Sequence, residues 1–173
     1  MSVTADDARA MPAELEGPCL PPSAQAGVLT AAIFRVARLH RTLAGQLLRQ
    51  VGLHPGQELV MMQLWDHGPQ RQTDLVRHLG SDAATMTRTV QRLEHAGFVR
   101  RRPSATDRRA TIVEATPASL AVRDHVTRLW AELEATATGD LGDDLRDEAL
   151  TCLARIEHNL AGATDDSADP LVC

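Results

Sequence analysis

Lysine and tyrosine are absent from this chain, and aromatic residues are scarce: Phe34, Phe98, Trp65 and Trp130 are the whole set. All 18 basic residues are arginine. With the many alanines, this reads as the mutational bias of a GC-rich genome rather than as chemistry. The three cysteines, Cys19, Cys152 and Cys173, lie far apart and in no C-x-x-C spacing. That argues against a disulfide framework and against a structural zinc site. Cys152 falls on a helical apolar face and is expected in the core. No apolar run approaches the roughly 18 residues of a membrane span. The acidic start of the chain lacks the basic-then-apolar order of a secretory signal. A cytoplasmic protein with no membrane partner is expected. Catalytic patterns are missing as well: there is no Gly-rich phosphate loop, no nucleophile elbow and no pair of carboxylates in an apolar setting. No enzyme, cofactor or metal is expected.

What is present is helical periodicity. The 173 residues, 43% of them hydrophobic, suit one domain or one intertwined unit. Residues 1–23 hold four prolines among scattered acids and are expected to form a disordered arm. Residues 24–51 repeat Ile33, Val36, Leu39, Leu43 and Leu47 at helical spacing, up to Gly52. A second helix is expected from Pro55 in its first turn, with Leu59, Met62, Leu64 and Trp65 on its buried side. Residues 117–161 carry two more helices. The first has Val122, Val126, Leu129, Trp130, Leu133 and Ala137 on one face, and the second has Leu145, Ala149, Cys152 (or Leu153), Ile156 and Leu160. Residues 162–173 read as a flexible tail. The outer helices, 24–51 and 117–161, have more apolar surface than one small domain can cover, and a symmetric homodimer is the common answer.

The rest is organised around Ser81–Arg109. Gly80 suits a tight turn, and Ser81 or Asp82 can cap the helix that follows. In that helix Met86, Val90, Leu93 and Gly97 share one face. The opposite face shows Ala84, Arg88, Gln91, Arg92 and His95, flanked by Thr85 and Thr87. Leu75, Val76 and Leu79 mark a short helix just before it. Helix, tight turn, helix is an arrangement whose second helix reads a major groove. Phe98-Val99 and Ala110–Ala115 then read as two strands around an Arg-rich loop, Arg100 to Arg109. The expected fold is mainly α with a small β-hairpin wing, a winged helix-turn-helix over 52–116 flanked by N- and C-terminal dimerisation helices. From Arg71 to Arg109 there are nine arginines and four acids, a net of +5 in a chain of net charge −5. A local basic patch on an acidic protein is the footprint of a nucleic-acid partner.

These residues carry a family likeness. G-L-H-P-G-Q-E (52–58), D-L-V-R-H-L-G (74–80), T-M-T-R-T-V-Q-R-L-E-H-A-G-F-V-R-R (85–101) and D-R-R (107–109) occur in an order and spacing that resemble the MarR family of bacterial transcriptional regulators. The resemblance covers roughly Val28 to Leu160. It implies a homodimeric winged helix-turn-helix regulator, with the helix at Asp82–Ala96 in the major groove and Arg109 in the minor groove. Asp107 would hold the wing in shape by ion pairing, and a small phenolic or aromatic acid would lower DNA affinity. The family commonly has Gly where this chain has Ser119. The peroxide-sensing branch uses Tyr partners that this chain lacks.

Roles follow for a partner of double-stranded DNA with a pseudo-palindromic operator. Thr85, Thr87, Arg88 and Gln91 would read bases. Arg71, Gln72 and Ser81 would bind phosphates through side chains and free N–H groups. Arg109 would enter a narrow minor groove, and Arg100, Arg101, Arg102 and Arg108 would meet phosphates. Arg35, Arg38, His40 and Trp65 are the candidates for an aromatic-acid effector, which needs apolar walls and a cation. The alternative is a redox- or metal-responsive DNA-binding switch that uses the cysteines, or His40, His54, His67 and His78.

Overall fold

The computed structural model describes residues 26–107 and 110–166 of the chain. Cys19, Cys173, Arg108, Arg109, the expected arm at 1–23 and the last residues of the expected tail lie outside the described residues. The fold is mostly helical. Helix α1 spans Val28–Leu48 and runs through a short 3-10 turn, Arg49–Val51, into α2, Gln57–His67. Strand β1 (Gln70–Arg71), α3 (Gln72–His78), α4 (Ala83–His95), β2 (Val99–Pro103) and β3 (Thr111–Ala115) follow. The chain closes with α5 (Pro117–Leu120), α6 (Arg123–Thr138) and α7 (Asp143–Asp166). Two compact units divide at Thr42, inside α1; each is described by itself.

In the unit from Leu43 onward, one core gathers the last turns of α1 with α2, α3, α4, α6 and the sheet. Leu48, Leu53, Val60, Met61, Leu75, Met86, Val90, Leu93, Val113 and Val126 are all buried in it. The sheet has the order β1-β3-β2, antiparallel throughout. The hairpin wing is therefore joined by a third strand of two residues, paired Gln70 to Val113 and Arg71 to Ile112. Two residues are too few to leave a periodic signal, so β1 is not legible in the sequence.

Two sequence expectations about packing are corrected. The buried side of α2 is Gln57, Glu58, Val60, Met61 and Leu64, whereas Leu59 is 38% exposed. Residues 59–65 are apolar all round except for Gln63, so spacing cannot choose a face. Packing against β3 and α6 chooses it. Cys152 is exposed rather than buried, because nothing among the described residues covers the apolar stripe of α7. Leu145, Leu153 and Leu160 on that stripe are each more than half exposed. In the unit that ends at Thr42, Phe34, Val36 and Leu39 of α1 are likewise open to solvent. The first helix expected within 117–161 is preceded by a separate short helix, the two dividing at Ala121–Val122 into α5 and α6. Thr116 is the N-cap of α5 and Pro117 its first residue.

Candidate nucleic-acid interface

Helix α4 is closed at both ends by local chemistry. The Asp82 side chain accepts the Thr85 backbone N–H at 2.8 Å. That bond, with the Thr85 hydroxyl, lowers the Asp82 pKa. The turn before it depends on Gly80, at φ 56°. A left-handed residue there lets the Ser81 N–H reach back to the Val76 carbonyl at 3.0 Å, a Schellman closure of α3. Gly97 lies beyond the end of α4 and is exposed, not on the helix's buried face as expected; at φ 77° it repeats the device, and Phe98 N–H reaches the Leu93 carbonyl at 2.9 Å. The second turn aims the chain straight into β2.

The inward face of α4, Met86, Val90 and Leu93, is buried. Thr85, Arg88, Gln91, Arg92 and His95 are exposed on the outward side. Arg88 donates to the Thr85 hydroxyl at 3.2 Å, which pre-sets its guanidinium near the N-terminal end. Thr87 is engaged inside the protein. Its hydroxyl donates to the Ala83 carbonyl at 2.7 Å and accepts from Gln72 Nε2 at 2.9 Å. The Gln72–Thr87 bond therefore locks α3 to α4. Arg71 is exposed at the N-cap of α3. The Ser81 N–H is taken by Val76, and its hydroxyl donates to the Asp82 carbonyl at 3.3 Å.

The wing is more ordered than an Arg-rich loop. Strand β2 extends to Pro103, so Arg100, Arg101 and Arg102 are strand residues whose side chains alternate between faces. Arg101 points toward α4 and grips Glu94, with Nε 2.9 Å from the carboxylate. Arg100 and Arg102, on the other face, both donate to Glu114 of β3, the second at 3.3 Å. Glu114 is only 8% exposed. Burial alone would raise its pKa, but the hydrogen bonds and charges of Arg100 and Arg102 outweigh that and lower it. The Arg101 hydrogen bonds lower the pKa of Glu94. At the tip, the Ser104 hydroxyl accepts the N–H groups of Thr106 and Asp107, each at 3.3 Å. The Asp107 carbonyl accepts the Ala110 N–H at 2.9 Å. The two acids and Ser104 were missed as functional residues. Only strand register places Glu114 opposite Arg100, and single-sequence spacing does not show register.

A pH result follows from the carboxylates. Both have folded pKa values below the ordinary glutamate value of about 4.3. Their contribution to a docked wing is therefore complete above that value and is lost as pH falls through the lowered folded values. Amide exchange in β2 and β3, corrected for intrinsic rates, should show constant protection from neutral pH down to about 5 and declining protection only at lower pH. Loss of protection already near neutrality would mean that these pairs do not hold the wing.

The effector candidates separate. Trp65 donates its indole N–H to the Ser119 hydroxyl at 3.2 Å. Ser119 is fully buried and donates its own hydroxyl hydrogen bond to the Thr116 carbonyl at 2.8 Å. The serine that departs from the family's glycine thus satisfies a tryptophan. Arg35, Arg38 and His40 lie in the unit that ends at Thr42, and Arg38 and His40 are exposed. Arg35 Nη1 is shielded from solvent and has no hydrogen-bond partner among the described residues. Also among the described residues, no group of three or more His, Cys, Asp or Glu side chains is placed to hold a metal. None of the described helices is long and apolar enough to cross a membrane.

The model of the MarR family matches residues 53–111. The HTH-type transcriptional regulator YwoH of Bacillus subtilis (strain 168) is 31% identical over 124 residues, 72% of this chain and 89% of that protein. The solved structure of reduced AbfR bound to DNA superposes with a TM-score of 0.67 at 26% identity, over 80% of this chain and 94% of that one. BpsR of Bordetella bronchiseptica, whose DNA binding is regulated by 6-hydroxynicotinic acid, shares the fold. Its TM-score is 0.71 at 20% identity, over 82% of this chain and 98% of that one.

Proposed function

This chain belongs to the MarR family of transcriptional regulators, and on that premise we propose that it is a repressor that binds a pseudo-palindromic operator as a homodimer and leaves it when a small aromatic acid binds. One observation carries the reading. Helix α4 is fastened by a buried face and two Schellman turns, and it turns outward a row of base-reading side chains, Thr85, Arg88 and Gln91. Arg forks onto guanine and Gln onto adenine, each good pair discriminating by about 1–3 kcal/mol. Thr87 and Gln72 act as the clamp between α3 and α4. Arg71, Ser81, Arg102 and Arg108 would flank the groove and meet phosphates, Asp107 would hold the wing in shape, and Arg109 would enter the minor groove.

Dimerisation is supported by the uncovered stripes on α1 and α7, since exposed apolar patches of this kind mark protein interfaces. Two copies would present recognition helices about 34 Å apart, one duplex turn. The effector proposal rests on Arg35, a shielded guanidinium nitrogen of the kind that a ligand carboxylate satisfies.

The test is a mobility-shift titration against the DNA upstream of the protein's own gene, with random duplex as competitor, at two salt concentrations. Wild-type affinity should fall steeply with salt, because phosphate contacts release counterions. Arg88→Ala should lose roughly ten- to a hundredfold of its preference for operator over random duplex. Arg101→Ala removes a cation and the brace to Glu94, so it should weaken every duplex alike. If Arg88→Ala kept the full operator preference, the base-reading role of α4 would be wrong.

A further inference from the structure

A concavity with a volume of 340 Å³ lies between the turn that opens α2 and the C-terminal half of α4. That is the size of a small-ligand site. His54 and Gln57 line one side, and Arg88, Gln91, Arg92 and His95 line the other. No carboxylate lines it. Two guanidinium groups are charged at any working pH, and each imidazole adds a charge when protonated. Gln57 is 7% exposed. Its Oε1 accepts the His54 backbone N–H at 2.9 Å, which leaves Nε2 as a donor on the cavity wall. Such a set has cations and amide donors and no carboxylate among its lining residues.

We propose that this cavity is a phosphoryl-binding site, taking a doubly charged tetrahedral oxyanion between α2 and α4. A guanidinium fork matches two oxygens of such a group, and charge-assisted bonds from imidazolium and amide donors complete the shell. The phosphoryl group comes either from the backbone of a bound duplex or from a free phosphorylated small molecule. Arg88 and Gln91 belong also to the outward face of α4, so a free ligand here and DNA exclude one another. This extends the duplex reading above, and it can fail or hold separately from it.

The experiment uses the full chain, with inorganic phosphate as the probe and chloride to hold ionic strength constant. The variant is His54→Ala: the imidazole is exposed, and the bond to Gln57 uses the His54 backbone, so the fold is kept. Without DNA, the imidazole resonances of His54 and His95 should shift saturably with phosphate. The variant's affinity for phosphate should be roughly tenfold weaker, read from the His95 resonance. Duplex titrations then separate the two sources. If His54→Ala binds duplexes as wild type does but resists competition by phosphate, the ligand is a free small molecule. If it weakens operator and random duplexes alike, the ligand is a backbone phosphate. No saturable shift, together with unchanged duplex affinity in His54→Ala, overturns the proposal. The resonance titration decides the site even if the protein shows no preference for its own upstream DNA.

Discussion

Changing Leu153 and Leu160 together to Asp should cut operator affinity by about 10²–10⁴-fold, the span by which linking two sites exceeds one site alone. Both leucines lie on the α7 stripe and line an apolar hollow with Ile156 and Ala161. They are 58% and 59% exposed, so neither supports the core of its own chain. Placing carboxylates there buries charge in the proposed interface and leaves the monomer's packing untouched. Sedimentation should report monomers at concentrations where the wild type is dimeric. The thermal midpoint should become independent of protein concentration, because association no longer stabilises the folded chain. A variant that stayed dimeric with unchanged affinity would remove α7 from the interface and leave the apolar face of α1 as the remaining candidate.

Leu93→Ala should destabilise the fold by about 2–5 kcal/mol, the usual cost of a buried Leu-to-Ala cavity. Leu93 has no exposed surface, and its carbonyl accepts the Phe98 N–H that closes α4. The substitution keeps that backbone bond and removes the side chain that presses α4 into the core. A denaturant titration measures the loss as a lower midpoint with an unchanged slope. Operator affinity measured well below the melting transition should change far less, because the Leu93 side chain is buried and offers no surface to a partner. If stability changed by less than about 1 kcal/mol, the site would be collapsing around the smaller side chain, and the core around α4 would be looser than its burial implies.

Much of the fold was readable in one dimension because its causes are local. Met86, Val90 and Leu93 repeat at helical spacing and are buried together. Asp82 caps α4, Thr116 caps α5, and Gly80 sits where positive φ is needed. Each of these reads from residues within a few positions of one another. The outward set on α4 was legible for the same reason: a helix fixes which side chains share a face.

The contacts that spacing did not show join partners distant in sequence. Thr87 and Arg88 are adjacent and equally polar, yet Thr87 turns to Gln72, fifteen residues earlier. The wing arginines were expected to meet phosphates, and spacing did not show that three of them also meet Glu94 and Glu114. Trp65 read as a ligand wall, but it finds Ser119 fifty-four residues away. Cys152 read as core because its stripe is apolar, and a stripe does not say whether this chain or another covers it.

By itself, then, the amino-acid order determined the helices, their caps, the turn before α4 and the concentration of positive charge around it. Periodicity, capping and glycine conformations act over a few residues. Tertiary structure alone decided which polar groups remain available to a partner. A hydroxyl or guanidinium serves a ligand only when no neighbour in space has already satisfied it, and strand register and helix packing bring those neighbours from anywhere in the chain.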